Sequence, residues 1–233
     1  MLRSLASCLV LVSLVMAVSG GCKNSSSLDA SSADPRSPSE WLAYGGENAA
    51  RYSPLQEINR DNVRQLEVAW THRSGDFSDG TGDWAFTSLQ VTPLVADDTL
   101  YYCTPFGRVF ALDAETGAQR WVFDPQVQNK RSGMYPAVCR GVSMWQDPSG
   151  EQENCSKRIR YGTLDATTGK LCADFGEHGR VALKEGIDGA RSWEYYPTSP
   201  PYIIDNVAVV GAMVPDNERS DVPSGVVRAF DVR

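Results

Sequence analysis

The stretch Thr99-Leu-Tyr-Tyr-Cys-Thr-Pro-Phe-Gly-Arg-Val-Phe-Ala-Leu-Asp-Ala-Glu-Thr-Gly-Ala-Gln-Arg-Trp121 decides the fold. It reads as an apolar strand, a tight Pro/Gly turn, a second apolar strand, an Asp-Ala-Glu-Thr-Gly turn and a strand carrying Trp121. Two hairpins in so short a span make most of a four-stranded antiparallel sheet. One such sheet cannot bury both faces, so it implies stacked copies. Leu164-Asp-Ala-Thr-Thr-Gly-Lys170 repeats Leu112-Asp-Ala-Glu-Thr-Gly-Ala118, and Val227-Arg-Ala-Phe-Asp-Val-Arg233 begins a third copy. The recurrence of Asp113, Asp165 and Asp231 suits propeller blades with insertions. The expectation is an all-β chain: a partial β-propeller of about three blades with antiparallel sheets.

The spelling Ala-x-Asp-x-x-Thr-Gly-x-x-x-Trp resembles the quinoprotein dehydrogenase repeat, whose tryptophans dock neighbouring blades. The first copy matches at Ala111, Asp113, Thr116, Gly117 and Trp121. The second keeps Asp165, Thr168 and Gly169 but has Ala173 where the tryptophan would stand. The Gly-His and Trp-Asp signature of WD repeats is missing.

Composition narrows the function classes. A net charge of −7 lacks the basic footprint of nucleic-acid binding. His72 and His178 are the two histidines and lie in separate polar contexts, which disfavours a His-based metal site or a Ser-His triad. No Cys-x-x-Cys or Gly-x-Gly-x-x-Gly supports a zinc ribbon or a dinucleotide fold. At the N-terminus, Arg3 and the apolar run Leu5 to Val18 read as a signal segment, too short for a comfortable membrane span. Ser19-Gly-Gly-Cys22 resembles a bacterial lipoprotein cleavage box, with Ser19 in place of the usual aliphatic residue. Cys22 is the expected lipidation site; an ordinary secretory signal with Cys22 incidental is the alternative. The expected organisation is a lipoprotein-type leader over 1–22, a flexible linker over 23–40 and the propeller portion over 41–233.

Export permits disulfides. Cys139 and Cys155 bracket a polar loop containing Pro148, Ser149 and Gly150, and a bond between them is expected. Cys103, inside an apolar strand, reads as a small buried hydrophobe. Elsewhere, a short helix is expected over Asn59 to Leu66 and strands over Leu66–Thr71, Ala137–Trp145, Lys157–Leu164 and Gly225–Val232. A hairpin is expected around Asp205-Asn206. The second repeat is seven residues short: Leu100 to Asp113 spans 13, Ile159 to Asp165 six. That predicts a lost strand, or irregular chain near Tyr161 to Asp165.

Several stretches are similar to one branch of the quinoprotein family. They include Trp41-Leu-Ala-Tyr-Gly45, Arg51-Tyr-Ser-Pro-Leu55, Val68-Ala-Trp70, Cys139-Arg-Gly-Val-Ser143, Cys155-Ser-Lys-Arg-Ile159 and Pro197-Thr-Ser-Pro-Pro201. Together they resemble the membrane-associated PQQ-dependent glucose dehydrogenases. The resemblance implies part of an eight-bladed propeller with PQQ and a divalent cation, usually Ca²⁺, on its axis. It implies oxidation of a sugar to a lactone, with electrons passed to a quinone. It places Gln90 and Arg140 against the cofactor, Thr198 and Ser199 as hydroxyl donors, and Asp216-Asn217 as metal ligands. The chemistry agrees: a guanidinium pairs bidentately with carboxylates, and Ca²⁺ takes hard oxygen donors. Each residue also has a plainer reading. Gln90 would pair with backbone at a strand start, Arg140 would sit beside Asp147 or Glu151, and Asp216-Asn217 would be an ordinary turn.

Pro136 stands where the family often carries a histidine. The family's general base and its partner lysine lie in later blades, so no catalytic residue is expected here, nor turnover by this chain alone. The first reading is thus the N-terminal portion of an exported PQQ-dependent sugar dehydrogenase of the periplasm or cell envelope, lipid-anchored to a membrane. The alternative is a lipid-anchored propeller scaffold, similar to outer-membrane assembly lipoproteins built from the same repeat.

Overall fold

In a computed structural model, the described residues are 40–46, 49–81, 85–127, 136–151, 154–159, 163–190, 194–215 and 217–233. The expected leader, Cys22 and nearly all of the expected linker lie outside them, as does Asp216.

Three antiparallel sheets carry the chain. The first contains β1 (Leu94–Ala96), β2 (Thr99–Cys103), β3 (Val109–Asp113) and β4 (Gln119–Phe123), in spatial order β1-β2-β3-β4. The second contains β5 (Met144–Gln146), β6 (Lys157–Ile159) and β7 (Leu164–Asp165). The third contains β8 (Tyr202–Ile204), β9 (Val207–Val210) and β10 (Arg228–Asp231). Sequential neighbours pair throughout, which is the up-and-down order of propeller blades.

Local chemistry sets the turns. Ala96 faces Thr99 across β1 and β2, leaving a two-residue turn. Asp97 and Asp98 both adopt positive φ there, +47° and +56°. That is the primed turn whose twist suits a hairpin, and aspartate tolerates it. Trp41 extends the first sheet by pairing both its backbone groups with Val95, at 2.8 and 3.0 Å.

Side chains alternate across the sheets, as the two-residue period of a strand requires. Tyr101, Cys103, Val109 and Ala111 face the second sheet and share a core with Val142, Ile159, Leu164 and Ala166. Tyr102, Phe110 and Leu112 face the other way and pack with Trp70, Val91 and Leu100. A further core layer, between the second and third sheets, holds Trp145, Cys155, Cys172, Phe175, Ala208 and Val232. The sheets are therefore stacked face to face.

The repeated turn is the docking device between them. Asp113 Oδ1 accepts from Thr116 N–H at 2.9 Å and from its hydroxyl at 2.8 Å. Asp165 does the same with Thr168, at 2.8 and 2.8 Å. Gly117 and Gly169 close the turns at φ +73° and +69°. Trp70 lies on Gly117 and donates Nε1–H to Ala114 O at 3.2 Å. Trp121 lies on Gly169 and donates to Ala166 O at 3.0 Å, an oxygen that also accepts from Tyr101 Oη at 3.1 Å. Only glycine leaves room for the indole, because a Cβ at either position would stand 2.6 Å from a ring carbon.

Several expectations change. Cys139 bonds Cys103, and Cys155 bonds Cys172, so the expected Cys139–Cys155 bond does not form. The reason is layering: Cys139 packs in the core between the first and second sheets, Cys155 in the core between the second and third. Closeness in sequence does not carry a side chain through a sheet. Cys103 is fully buried as expected, but as half of a disulfide. The expected strand Lys157–Leu164 is two strands, β6 and β7, paired with each other. The expected loss of a strand is met: this sheet has three strands where the first has four, and its fourth position is the single bridge Leu164–Leu171. Residues 160–162 of the expected irregular chain lie outside the description. Residues 66–71 are largely exposed and form no strand, and the helix expected over 59–66 is a single 3-10 turn at Val63–Gln65.

Candidate cofactor site

Each sheet is entered through a short segment, and the three entry segments run side by side. Ala137 N–H donates to Phe86 O at 3.0 Å and Ser88 N–H to Ala137 O at 3.1 Å. Thr92 N–H donates to Arg140 O at 3.1 Å, and Arg140 N–H to Thr198 O at 2.9 Å. Ser143 Oγ donates to Pro201 O. Gly141 permits the close approach, since a Cβ there would meet Thr92 O at 3.3 Å and Pro200 Cγ at 3.4 Å. The strand expected over 137–145 is therefore mostly a strap whose backbone serves the segments on either side, and only Met144–Gln146 joins a sheet.

Arg140 is the centre of this strap. It is half-buried, and its guanidinium donates to Thr198 Oγ1 at 2.5 Å. Asp147 instead accepts from Ser149, through its backbone N–H at 3.0 Å and its hydroxyl at 2.8 Å. Arg140 thus turns toward the third entry segment rather than into the loop containing Asp147 and Glu151. The Cys103–Cys139 disulfide ties the strap, one residue before Arg140, to the end of β2.

Gln90 is exposed and donates Nε2–H to Ser88 Oγ at 3.0 Å, a side-chain partner rather than a backbone one. Ser199 is exposed beside Thr198. Asn217 is exposed, the third residue of a turn closed by Glu218 N–H on Pro215 O at 3.1 Å. That turn follows Met213, whose N–H donates to Tyr196 O at 2.9 Å on the third entry segment. Arg140 and Thr198 are therefore brought into contact. Gln90, Ser199 and Asn217 stand on the same or adjoining segments, and among the described residues none hydrogen-bonds to that pair.

The donor set fits an anionic quinone. A guanidinium has five N–H donors in a fixed fork, and Thr198 engages one end of Arg140. The remainder suits a carboxylate bidentately. The amide oxygen of Asn217 is a hard donor of the kind Ca²⁺ takes.

Sequence reasoning missed Thr92 and Cys103, which position the strap, and the ion pair of Glu194 with Arg219. The last joins residues 25 apart in sequence, with no periodic or motif signal linking them.

Two other clusters were candidates for chemistry. Cys155, Cys172 and Asp174 place ligand atoms within 4.8 Å of one another. The sulfurs are bonded together, however, and Asp174 pairs with buried Arg158 at 2.6 Å. Such a group offers no thiolate to a metal. On the outer face of the first sheet, His72 Nδ1 lies 2.6 Å from Tyr102 Oη, beside the Arg108–Asp76 ion pair. Burial, followed by Arg108, lowers the imidazole's affinity for a proton below the usual histidine range. Burial and Asp76 push the Tyr102 phenol up to about 12. Both groups therefore stay neutral near pH 7 and form a packed network with Phe110.

Comparison with known proteins gives one family. Residues 41–233 match the PQQ family described as glucose/ethanol/alcohol dehydrogenase, β-propeller domain. The chain is 37% identical over 223 residues to a quinoprotein glucose dehydrogenase of Escherichia coli, covering 88% of this chain and 28% of that protein. It is 34% identical to a quinate/shikimate dehydrogenase (quinone) of Acinetobacter baylyi, covering 82% of this chain and 26% of that one. Among solved structures, quinohemoprotein alcohol dehydrogenase from Comamonas testosteroni superposes with a TM-score of 0.62 at 25% identity, over 85% of this chain and 26% of that chain. The chain thus spans about a quarter of the length of the relatives it matches.

Proposed function

Because the chain belongs to the PQQ-dependent glucose/ethanol/alcohol dehydrogenase β-propeller family, we propose that residues 41–233 form one wall of the PQQ site of a dehydrogenase oxidising a glucose-like sugar or related polyol. The sugar would leave as its lactone, and the electrons would pass to a quinone. Relatives named for glucose, quinate or shikimate, and glycerol support a polyhydroxylated substrate.

The observation that carries this reading is the Arg140–Thr198 contact across adjoining entry segments. A cofactor carboxylate at Arg140 would meet a guanidinium already oriented by Thr198 Oγ1 and by the Cys103–Cys139 bond. Such pre-ordering lowers the entropic cost of binding. Thr198 would keep the fork in plane, Gln90 would offer its amide from the next segment, and Ser199 would offer a hydroxyl. Bound there, PQQ would supply the two-electron acceptor. Asp216-Asn217 would supply oxygen ligands to a divalent cation, Ca²⁺ by charge and hardness. No residue of this chain is given the role of base. Export to the periplasm or cell envelope, with Cys22 as a lipid anchor, belongs to the same reading. Two disulfides support an oxidising compartment. A propeller scaffold without cofactor would gain nothing specific from the orientation of Arg140.

The test is PQQ binding to the purified oxidised chain, followed by quinone absorbance and tryptophan quenching, with Arg140→Gln and Thr198→Val beside the wild type. A hydrogen bond to a charged group contributes about 1.5–3 kcal/mol, so Arg140→Gln should weaken binding by roughly ten- to a hundredfold. Thr198→Val should weaken it less. Equal affinity in all three proteins, or none in the wild type, refutes the assignment.

A further inference from the structure

One buried ion pair lies off the strap and outside any role given above. Glu194 is fully buried, and Arg219 grips it with both ends of its fork: Nε to Oε1 at 2.9 Å and Nη2 to Oε2 at 2.7 Å. Arg219 also donates Nη1 to Asp221 O at 2.6 Å and Nη2 to Gly189 O at 3.3 Å. One side chain thus joins three stretches of loop. Burying an ion pair is expensive in desolvation unless its geometry is this complete. Residues that merely cover a core need no such arrangement.

What the pair joins is specific. Glu194 is four residues before Thr198, on the third entry segment. Arg219 is two residues after Asn217. Between them, Met213 N–H bonds Tyr196 O at 2.9 Å. The turn at 215–218 is therefore held at both ends, by the Met213–Tyr196 bridge before it and by Arg219 after it, with its first residue, Pro215, buried. The far side of the same entry segment is held by Arg140.

We propose that Glu194 and Arg219 are positioning residues: their pair fixes the turn bearing Asn217 against the segment bearing Thr198, and so couples cation binding to PQQ binding. The proposal rests on the cofactor reading above. Without the pair, Asn217 and Thr198 still have their donors, but their separation is no longer set. A ligand that must satisfy both then has to order the turn as it binds. The cation would lose its help to the quinone, and the quinone its help to the cation, by the same factor.

The experiment compares the oxidised wild-type chain with Arg219→Gln, Glu194→Gln and the conservative Arg219→Lys. PQQ affinity is measured with and without Ca²⁺, and amide hydrogen exchange is followed by peptide. In the wild type Ca²⁺ should tighten PQQ, by about tenfold if the coupling is of ordinary size. In Arg219→Gln and Glu194→Gln that factor should fall to near one, while PQQ affinity without Ca²⁺ stays within about twofold. Exchange should quicken in 213–221 and remain unchanged in β1–β4. Arg219→Lys keeps the charge but not the fork, and should recover part of both effects. The clamp is overturned if the Ca²⁺ factor survives in Arg219→Gln, or if exchange in 213–221 does not change. It is also overturned if exchange rises equally throughout the chain, which is the mark of a merely structural pair. A wild-type chain that binds neither PQQ nor Ca²⁺ defeats the cofactor reading instead. Hydrogen exchange then reports on the clamp alone: quickening confined to 213–221 shows that the pair holds the turn, its absence ends the clamp, and the coupling falls with the cofactor reading.

Discussion

Replacing Gly169 with alanine should destabilise the protein through two separable effects. The first is backbone strain. Gly169 sits at φ +69°, and an L-residue there costs about 1–2 kcal/mol. The second is collision with the docked tryptophan. The new Cβ would lie 2.6 Å from Trp121 Cε3 and 2.7 Å from Cδ2, well inside the 3.5–4.0 Å or so of a favourable carbon contact. The indole must move, with an overpacking cost of about 1–3 kcal/mol. Its bond to Ala166 O, 3.0 Å long, would be strained or lost. The two effects together predict about 2–5 kcal/mol. A double-mutant cycle with Trp121→Ala separates them, because without the indole only the strain remains. The expected coupling is about 1–3 kcal/mol. Denaturant unfolding of the oxidised protein, for wild type, both single variants and the double variant, gives the number. Gly117→Ala with Trp70→Ala is the parallel cycle, with the same 2.6 Å collision. A coupling below about 0.5 kcal/mol at Gly169 would mean the indole does not rest on that turn, and the docking argument would be wrong.

Peptide mapping without reduction should recover Cys103 linked to Cys139 and Cys155 linked to Cys172, and a Cys139–Cys155 peptide would contradict the layering argument. Changing both Cys155 and Cys172 to serine should cost about 3 kcal/mol by loop-closure entropy, read from denaturant midpoints; an unchanged midpoint would count against the bond. His72 provides a pH test. Its folded pKa is lowered by burial and then by Arg108, so the stability it contributes is complete above the unfolded value of about 6.5 and is lost as pH falls through the folded value. Melting temperature should drop as pH falls from about 7 to about 5, and His72→Gln should flatten that slope; an equal slope in the variant would clear His72 of the effect.

The first sheet was legible because its strands and turns are written plainly. Two continuous apolar runs, Leu100 to Cys103 and Val109 to Leu112, flank a Pro/Gly turn, and the Asp-Ala-Glu-Thr-Gly turn needs an acceptor at Asp113, a hydroxyl at Thr116 and a left-handed glycine at Gly117. Identical chemistry at Asp165 made the second copy readable, although its strands are too short to show a period. Residues 66–71 alternate like a strand, yet a strand exists only where a partner accepts its backbone, and a single sequence does not name partners. The cysteine pairing failed for the same reason. Which face of a sheet a cysteine takes depends on register, and Cys139 and Cys155 are separated by a loop that hides it. At the candidate site, Arg140 and Thr198 were legible as types, because Cys-Arg-Gly-Val and Pro-Thr-Ser-Pro-Pro are unusual strings. Their contact was not, because it joins residues 58 apart through an entry segment that belongs to no sheet.

The docking device and the proposed cofactor wall are one construction. Trp121 and Tyr101 both donate to Ala166 O, which fixes the first sheet against the second. Trp145 donates to Asn206 Oδ1 at 3.1 Å and fixes the second against the third. In that interface the residue expected by the repeat is Ala173, and the Cys155–Cys172 bond, Trp145 and Phe175 fill the layer instead. The entry segments inherit their spacing from these contacts, because each is continuous with the first strand of its sheet. The separation of Arg140 from Thr198 is then a consequence of sheet stacking rather than of local sequence. A fault at Gly169 or Cys172, which touch no candidate ligand, should therefore reach the proposed cofactor wall by letting the sheets shift. Loss of PQQ affinity in Gly169→Ala, under conditions where the variant is still folded, is the result this linkage requires; full affinity there would mean the strap holds Arg140 without help from the stack.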